Sequence, residues 1–272
     1  MSQPPSKKHK SRHKKKKHGS SKLAELSPET KKAMEELKQN VETRARHNID
    51  IMLPQKLVQL DRLMLTHPLL QLKSPKEIVE EIVLYDARES GEKESENKDS
   101  TAAATTENLK AKGKEDPMLY MGVKKNSKLA ELLVILKQEV REAVQITSSI
   151  KLWIQMLVPK MEDGNNFGVE VQDEVSGELD RVESESYMQM ESCLSYHKLR
   201  AKYVEKVKKH PHIMDYRQAV VERDQQEYLR RKLALNELRS NYACLYDLIT
   251  KNLDKVTKPK GEIDGSGAFN YM

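Results

Sequence analysis

The chain is poor in the residues that build small stapled domains or sheet-rich ones. Its two cysteines, Cys193 and Cys244, make no disulfide framework, and reduced cytosolic or nuclear thiols are the default for such a pair. Aromatic residues are 5% of the chain, with one Trp and two Phe, and Gly and Pro number 10 each. No apolar run approaches the roughly 18 residues that would make a membrane span. The N-terminus is basic and no apolar segment follows it, which argues against a secretory signal. Charge is what the sequence has in abundance. Charged residues are 33% of the chain, against about 25% in an average globular protein. That mixture belongs to long, solvent-washed helices, in a chain of 272 residues that could be one large domain or two small ones.

The charge is unevenly placed. "KKHKSRHKKKKH", residues 7 to 18, carries Lys7, Lys8, Lys10, Arg12, Lys14, Lys15, Lys16 and Lys17, three His and no acid. The formal net charge of the whole is +6, so the body without this run is slightly acidic. A run of like charges repels itself and buries nothing, which predicts disorder over residues 1–26. It reads as a nuclear localisation signal recognised by importins, as a nucleic-acid arm, or as a plain solvated tail. The nuclear reading fits best, because the run has no aromatic residue on which a base could stack. A second segment, about 86 to 117, mixes charges with Ser, Thr and Ala, and reads as a flexible loop. Before it, "IVEEIVLY", residues 78 to 85, reads as a short helix or an apolar anchor.

The remainder reads as four long helices. Leu129, Leu133, Leu136, Val140, Ala143, Thr147, Ile150, Ile154 and Leu157 alternate steps of four and three, the period of a coiled-coil face. Pro159 restricts Val158 and ends that helix. Val175, Leu179, Val182, Ser186, Met190, Cys193, His197, Ala201 and Val204 continue the rhythm in the next, which stops at "KHPH", residues 209 to 212. The last begins near Asp215, runs through Leu238, Tyr242, Leu245, Ile249, Leu253 and Val256, and ends before Pro259. The first, roughly Pro28 to Leu72, is less regular. Met34, Leu37, Val41, Leu57, Leu60 and Met64 are expected to face inward, with a bend at Pro54. Tyr203, Val220 and Tyr228 lie off the main seam and imply a second face to bury, between subunits.

Helices of this length joined by short links must run up and down. The fold class is therefore all-α, an up-and-down bundle of four long helices over residues 27–258. The alternation places the turn at "PKMEDGNNFG", residues 159 to 168, at the same end as the C-terminal tail, residues 259–272. That tail is polar and Gly-rich until it closes on Phe269, Asn270, Tyr271 and Met272. A tether with an aromatic tip suits insertion into a pocket on a partner; a frayed terminus is the plainer alternative.

Catalytic readings do poorly. Glu162 and Asp163 are neighbours, and neighbouring residues do not converge on one substrate atom. Cys193 and His197 share a helix face that a core lining explains, with no further metal ligand nearby. His210 and His212 flank Pro211 in a turn that they help to cap. No Gly-rich phosphate loop, nucleophile elbow or HExxH stretch is present. No cofactor is implied.

"PKMEDGNNFGVEVQ" resembles the activation loop of the 11S, or REG, proteasome activators. The resemblance continues through "HPHIMDYR", residues 210 to 217, and "EYLRRKLALNELRSNYACLYDLITKNLDKVTKP", residues 227 to 259, and includes "MLPQKLVQL", residues 52 to 60. It spans about Pro28 to Pro259 with the loop left out. "ELDRVESES", residues 178 to 186, resembles the gamma, nuclear, homomeric type.

The resemblance implies a homo-heptameric ring of four-helix subunits that activates the 20S proteasome without ATP and without catalysis of its own, while peptides pass through its channel. Lys160, Met161, Glu162, Asp163, Gly164, Asn165, Asn166, Phe167 and Gly168 would form the activation loop on the proteasome alpha subunits. Asn165 and Asn166 would sit at its tip and Phe167 would pin it to the bundle. Phe269 to Met272 would dock between alpha subunits. Two departures stand out: Met272 follows the tyrosine on which members commonly end, and the basic run lies at the N-terminus instead of in the loop region. The implied address is the nucleus, with the cytoplasm as a second. Two rivals have other partners: a coiled-coil scaffold, and a nucleic-acid-associated bundle that rests on the tail alone.

Overall fold

The structure is a computed structural model, and it describes residues 26–86, 121–160 and 166–260. The basic run, most of the 86–117 loop, Met161 to Asn165 and Phe269 to Met272 lie outside the described residues. The chain divides into two units, one up to Leu37 and one from Lys38 onward.

Helix α1, Pro28–His47, crosses from the first unit into the second. Its first half is exposed, Met34 and Leu37 included, so the inward positions expected there are not inward. The sequence explains this in hindsight: three Glu and three Lys surround them in "ETKKAMEELK", too few apolar positions for a stripe. From Val41 onward the helix has a buried face, with Ala45 fully shielded.

The bend expected at Pro54 takes another form. Residues Asn48–Met52 make a π-helical turn and α2 follows over Leu53–Thr66 with Pro54 in its first turn. The Leu53 N–H reaches back to the Asn48 carbonyl, five residues away. A wider turn just before the proline lets the helix pass a residue that lacks an N–H donor.

The extended segment after α2 corrects the expectation for residues 78 to 85. Ile78 is buried, so the anchor reading holds there. The rest is not helical: β1, Leu84–Asp86, pairs antiparallel with β2, Met121–Val123, with Leu84 opposite Val123 and Tyr85 opposite Gly122. This two-stranded ladder closes the base of the long loop and is the single departure from an all-α fold among the described residues. Side chains hold the segment from outside the ladder. Arg217 donates to the Ile82 carbonyl at 2.7 Å, and Asn126 donates to the Ile78 carbonyl at 2.9 Å.

The bundle is completed by α3, Ser127–Leu157, α4, Phe167–Lys209, α5, Met214–Lys251, and the short α6, Leu253–Thr257. Asn126 caps α3, its Oδ1 accepting from Leu129 N at 3.0 Å. Pro159 ends α3 as expected, with Val158 turned to ψ 122°. Helix α3 packs on α4, α4 on α5, and α2 on α5. Side-chain pairs between α4 and α5 climb one helix while descending the other: Arg181 with Asn241, Gln189 with Arg231, Tyr196 with Asp224. The two helices are therefore antiparallel, and the up-and-down bundle is the observed fold.

The seam residues of α3 from Leu129 to Ile154 are buried as expected and Leu157 is half-buried, and Val175, Leu179, Val182, Ser186 and Cys193 line α4. The expected line fails beyond Cys193. His197 and Ala201 are exposed, and Tyr196 and Val207 are buried instead. Val220 and Tyr228, assigned by sequence to a face between subunits, are buried within the single chain.

Candidate functional site

The turn between α3 and α4 meets the start of the C-terminal tail at one end of the bundle. Lys160 is exposed, and its carbonyl accepts from Lys260 Nζ at 3.3 Å. On the far side of the loop, Asn166 is the N-cap of α4, its carbonyl accepting from Val169 N at 2.9 Å and Glu170 N at 3.0 Å. That corrects the expectation that Asn166 shares the loop tip: it is the residue from which the next helix starts. Phe167 follows and is 57% exposed, so it is not buried in the bundle. Gly168 is buried, and its backbone lies directly against that of Pro259.

Helix α4 then enters the core. Gln172 is fully shielded, and its Nε2 donates to the Val256 carbonyl at 2.7 Å. The tail approaches this point through a break in the last helix. Asn252 leaves helical geometry with φ −112° and ψ 12°, its side chain donates to the Leu248 carbonyl at 2.8 Å, and α6 carries Val256 into the core. The common end for loop and tail, expected from helix alternation, is thus what the structure contains up to Lys260.

The other candidate groups part company. Cys193 is buried, and burial pushes its thiol above the usual range, which leaves it protonated and inert at neutral pH. His197, one turn away, faces outward. His210 and His212 lie 6.3 Å apart by ring centroid, and His210 packs 5.9 Å from the Tyr216 ring in the turn between α4 and α5. No group of three or more metal-ligating side chains converges among the described residues.

A buried polar column in the bundle escaped the sequence reading. Arg231 and Glu227 are fully shielded. Arg231 also donates to Ser192 Oγ at 2.8 Å and Gln189 Oε1 at 3.3 Å. One step toward the β ladder, Asp224 accepts from Tyr196 Oη at 2.9 Å, Arg200 Nε at 3.0 Å and Asn126 Nδ2 at 3.1 Å. A third cluster seats Lys56 between Glu139, at 3.0 Å, and Glu142. The signal was present in the spacing. Carrying the α5 seam back from Leu238 in steps of three and four lands on Leu235, Arg231, Tyr228 and Asp224, so two charged residues stand at core positions. Each cluster pairs acid with base inside the bundle. They fix helix register and offer no open acid, base or nucleophile to a substrate.

The geometry presents a contact surface: two chain segments, braced together, at one end of a helical bundle. Comparisons with known proteins identify the family. The family described as proteasome activator PA28, C-terminal, matches residues 122–266. Proteasome activator complex subunit 3 of Gallus gallus is 32% identical over 247 residues, covering 88% of this chain and 96% of that protein. The subunit of the same name from Homo sapiens is 41% identical over 138 residues, 51% of this chain and 54% of its own length. The crystal structure of the 11S subunit of the Plasmodium falciparum proteasome, PA28, superposes with a TM-score of 0.69 at 28% identity, covering 88% of this chain and 96% of that one. With that much of both chains matched, this chain belongs to the PA28, or 11S, proteasome activator family.

Proposed function

We propose that this protein is a non-catalytic, ATP-independent activator of the 20S proteasome. Its C-terminal tails, ending in Phe269, Asn270, Tyr271 and Met272, dock between the proteasome alpha subunits, and the segment from Lys160 to Gly168 bears on the gate and holds it open. The observation that carries this reading is the meeting of the two flanks of that segment with the root of the tail at one end of the bundle. A partner that receives the tail necessarily receives the loop.

The working form is a homo-heptamer. A single flexible tail binds weakly because ordering it costs entropy. Several on one ring raise one another's effective concentration, and avidity does the docking. The loop acts by touching the open gate better than the closed one, since only a difference in affinity between states shifts their populations. Short peptides enter through the channel and leave more freely. The basic run from Lys7 to Lys17 directs the protein to the nucleus through importins.

The test is hydrolysis of a fluorogenic peptide by purified 20S proteasome with and without this protein, without nucleotide. Stimulation that saturates with protein supports the reading, and removal of Phe269 to Met272 abolishes it at modest concentration. Absence of stimulation at any concentration refutes it.

A further inference from the structure

The tail and the loop meet through main chain, and one residue makes that meeting sterically feasible. A Cβ added at Gly168 would stand 2.5 Å from Pro259 Cα and 2.6 Å from the Pro259 carbonyl carbon, and closer still to its oxygen. These are backbone atoms, so no side-chain rotation relieves the clash. Four residues on, Gln172 Nε2 donates to the Val256 carbonyl in the last turn of α6. The last carbonyls of a helix have no intrahelical donor, and in a buried setting that bond is expensive to lose. Lys260, just past the contact, donates to the carbonyl of Lys160. The root of the tail therefore touches the loop segment on both flanks, before it at Lys160 and after it at Gly168.

We propose that Gly168 and Gln172 are positioning residues that lock the loop's C-terminal flank to the root of the docking tail, so that the loop is presented to the partner from a rigid end of the bundle. This inference rests on the proposed docking function and deepens it. A tail that grips its pocket through a flexible tether contributes affinity in either gate state. The difference between states comes from the loop, and such a contact must be held within about half an ångström to act. The core of the bundle supplies that rigidity: Val256 is buried on one side of the contact and Gln172 on the other.

The second described glycine of α4 provides the control. A Cβ at Gly177 meets nothing within 4 Å. Gly168→Ala, Gln172→Met and Gly177→Ala are made in the full chain, assembled, and titrated against purified 20S proteasome with a fluorogenic peptide. Half-saturating concentration and maximal stimulation are read separately, and binding is measured directly on the same preparations. Gly177→Ala is expected to match wild type in both. Gly168→Ala is expected to lose about tenfold in maximal stimulation while its half-saturating concentration stays within about threefold of wild type, since misplacing a contact by about an ångström is costly. Gln172→Met keeps the side-chain length and is expected to show the same split, smaller in size. If Gly168→Ala fails to assemble, Gln172→Met carries the test alone. Full maximal stimulation in both variants overturns the inference, and so does a loss that appears only as weaker binding. A wild-type protein that stimulates nothing overturns the docking function itself, an outcome distinct from either of these.

Discussion

Arg231 and Glu227, one turn apart on α5, are both completely shielded from solvent, with Arg231 Nε 3.0 Å from Glu227 Oε1. Arg223 adds a second cation to the same carboxylate, at 3.3 Å from Oε2. Burial raises the Glu227 pKa, working against the charges of Arg231 and Arg223, which favour the ionised form. Such a pair is a poor source of net stability, because desolvating two charges offsets most of their attraction. Its value lies in what it forbids. Arg231 reaches Gln189, Ser192 and Cys193 on α4, so sliding α5 along α4 by one turn would strip a buried guanidinium of every partner on α4 and leave it only Glu227.

Removing one partner should therefore cost far more than removing both. Glu227→Ala is expected to destabilise the fold by about 3–5 kcal/mol, and the double substitution Glu227→Leu with Arg231→Met by much less. Urea midpoints at one fixed protomer concentration measure this. A double variant as unstable as the single one would show that the pair contributes attraction and not register.

A second prediction concerns acid. Glu80 accepts from Ser127 N at 3.0 Å and 3.1 Å and from Lys128 N at 3.4 Å, at the start of α3. Partial burial raises its pKa, but the bonds from Ser127 and Lys128 outweigh that and the net direction is down. A carboxylate whose folded pKa is depressed contributes stability above its unfolded pKa, about 4.3, and loses it as pH falls through the folded value. Glu80→Gln should thus lower stability by about 1 kcal/mol at pH 7, the usual size for a helix N-terminal contact. The gap should close below about pH 4. Thermal unfolding of both proteins across pH 3 to 7 reads the effect, and a gap that widens in acid contradicts it.

A third prediction follows from where apolar surface remains. Val58 and Leu65 on α2 are 58% and 67% exposed, and Leu229 and Leu233 on α5 are 45% and 67% exposed. Val58 lies in a surface groove with Pro54, Arg62 and Leu63. Contiguous exposed apolar residues on long helices mark contact surfaces, and the proposed ring would cover them. Val58→Asp is expected to shift native mass from heptamer to smaller species at micromolar concentration without loss of helical signal. A heptamer of unchanged stability in the variant would place the subunit contact elsewhere.

The legible part of this protein was its periodicity. The seam of α3 was readable from end to end, since every position obeys one spacing and Pro159 closes it. The common end of loop and tail followed from counting helices. Charged residues at seam positions went unread because of their type and not their spacing: Arg231, Asp224 and Lys56 look like solvent-facing residues until their partners on other helices are known. Asn166 was misplaced for a related reason: a helix start is set by its backbone bonds, and "GNNFG" carries a turn composition on both sides of the boundary. Val220 and Tyr228 were misassigned because the α5 line was not carried back past Leu238, where steps of three and four bring Tyr228 into the core of the same chain.

The loop itself yields the last prediction. Asn165 precedes the N-cap of α4 and belongs to the five residues between Lys160 and Asn166. It stands at no seam position in the sequence, so Asn165→Tyr should leave assembly, helical content and the tails intact. A bulky ring there should keep the loop from fitting the partner's gate. Binding to the proteasome is therefore expected to persist while peptide hydrolysis falls to the unstimulated level. Truncation before Phe269 should do the reverse, abolishing binding at modest concentration with the loop unchanged. The tails supply affinity common to both gate states, and the loop supplies the difference between them, which alone moves the gate equilibrium. A pull-down and a peptidase assay on the same preparations separate the two. An Asn165→Tyr protein that binds and stimulates fully would remove the loop from the mechanism.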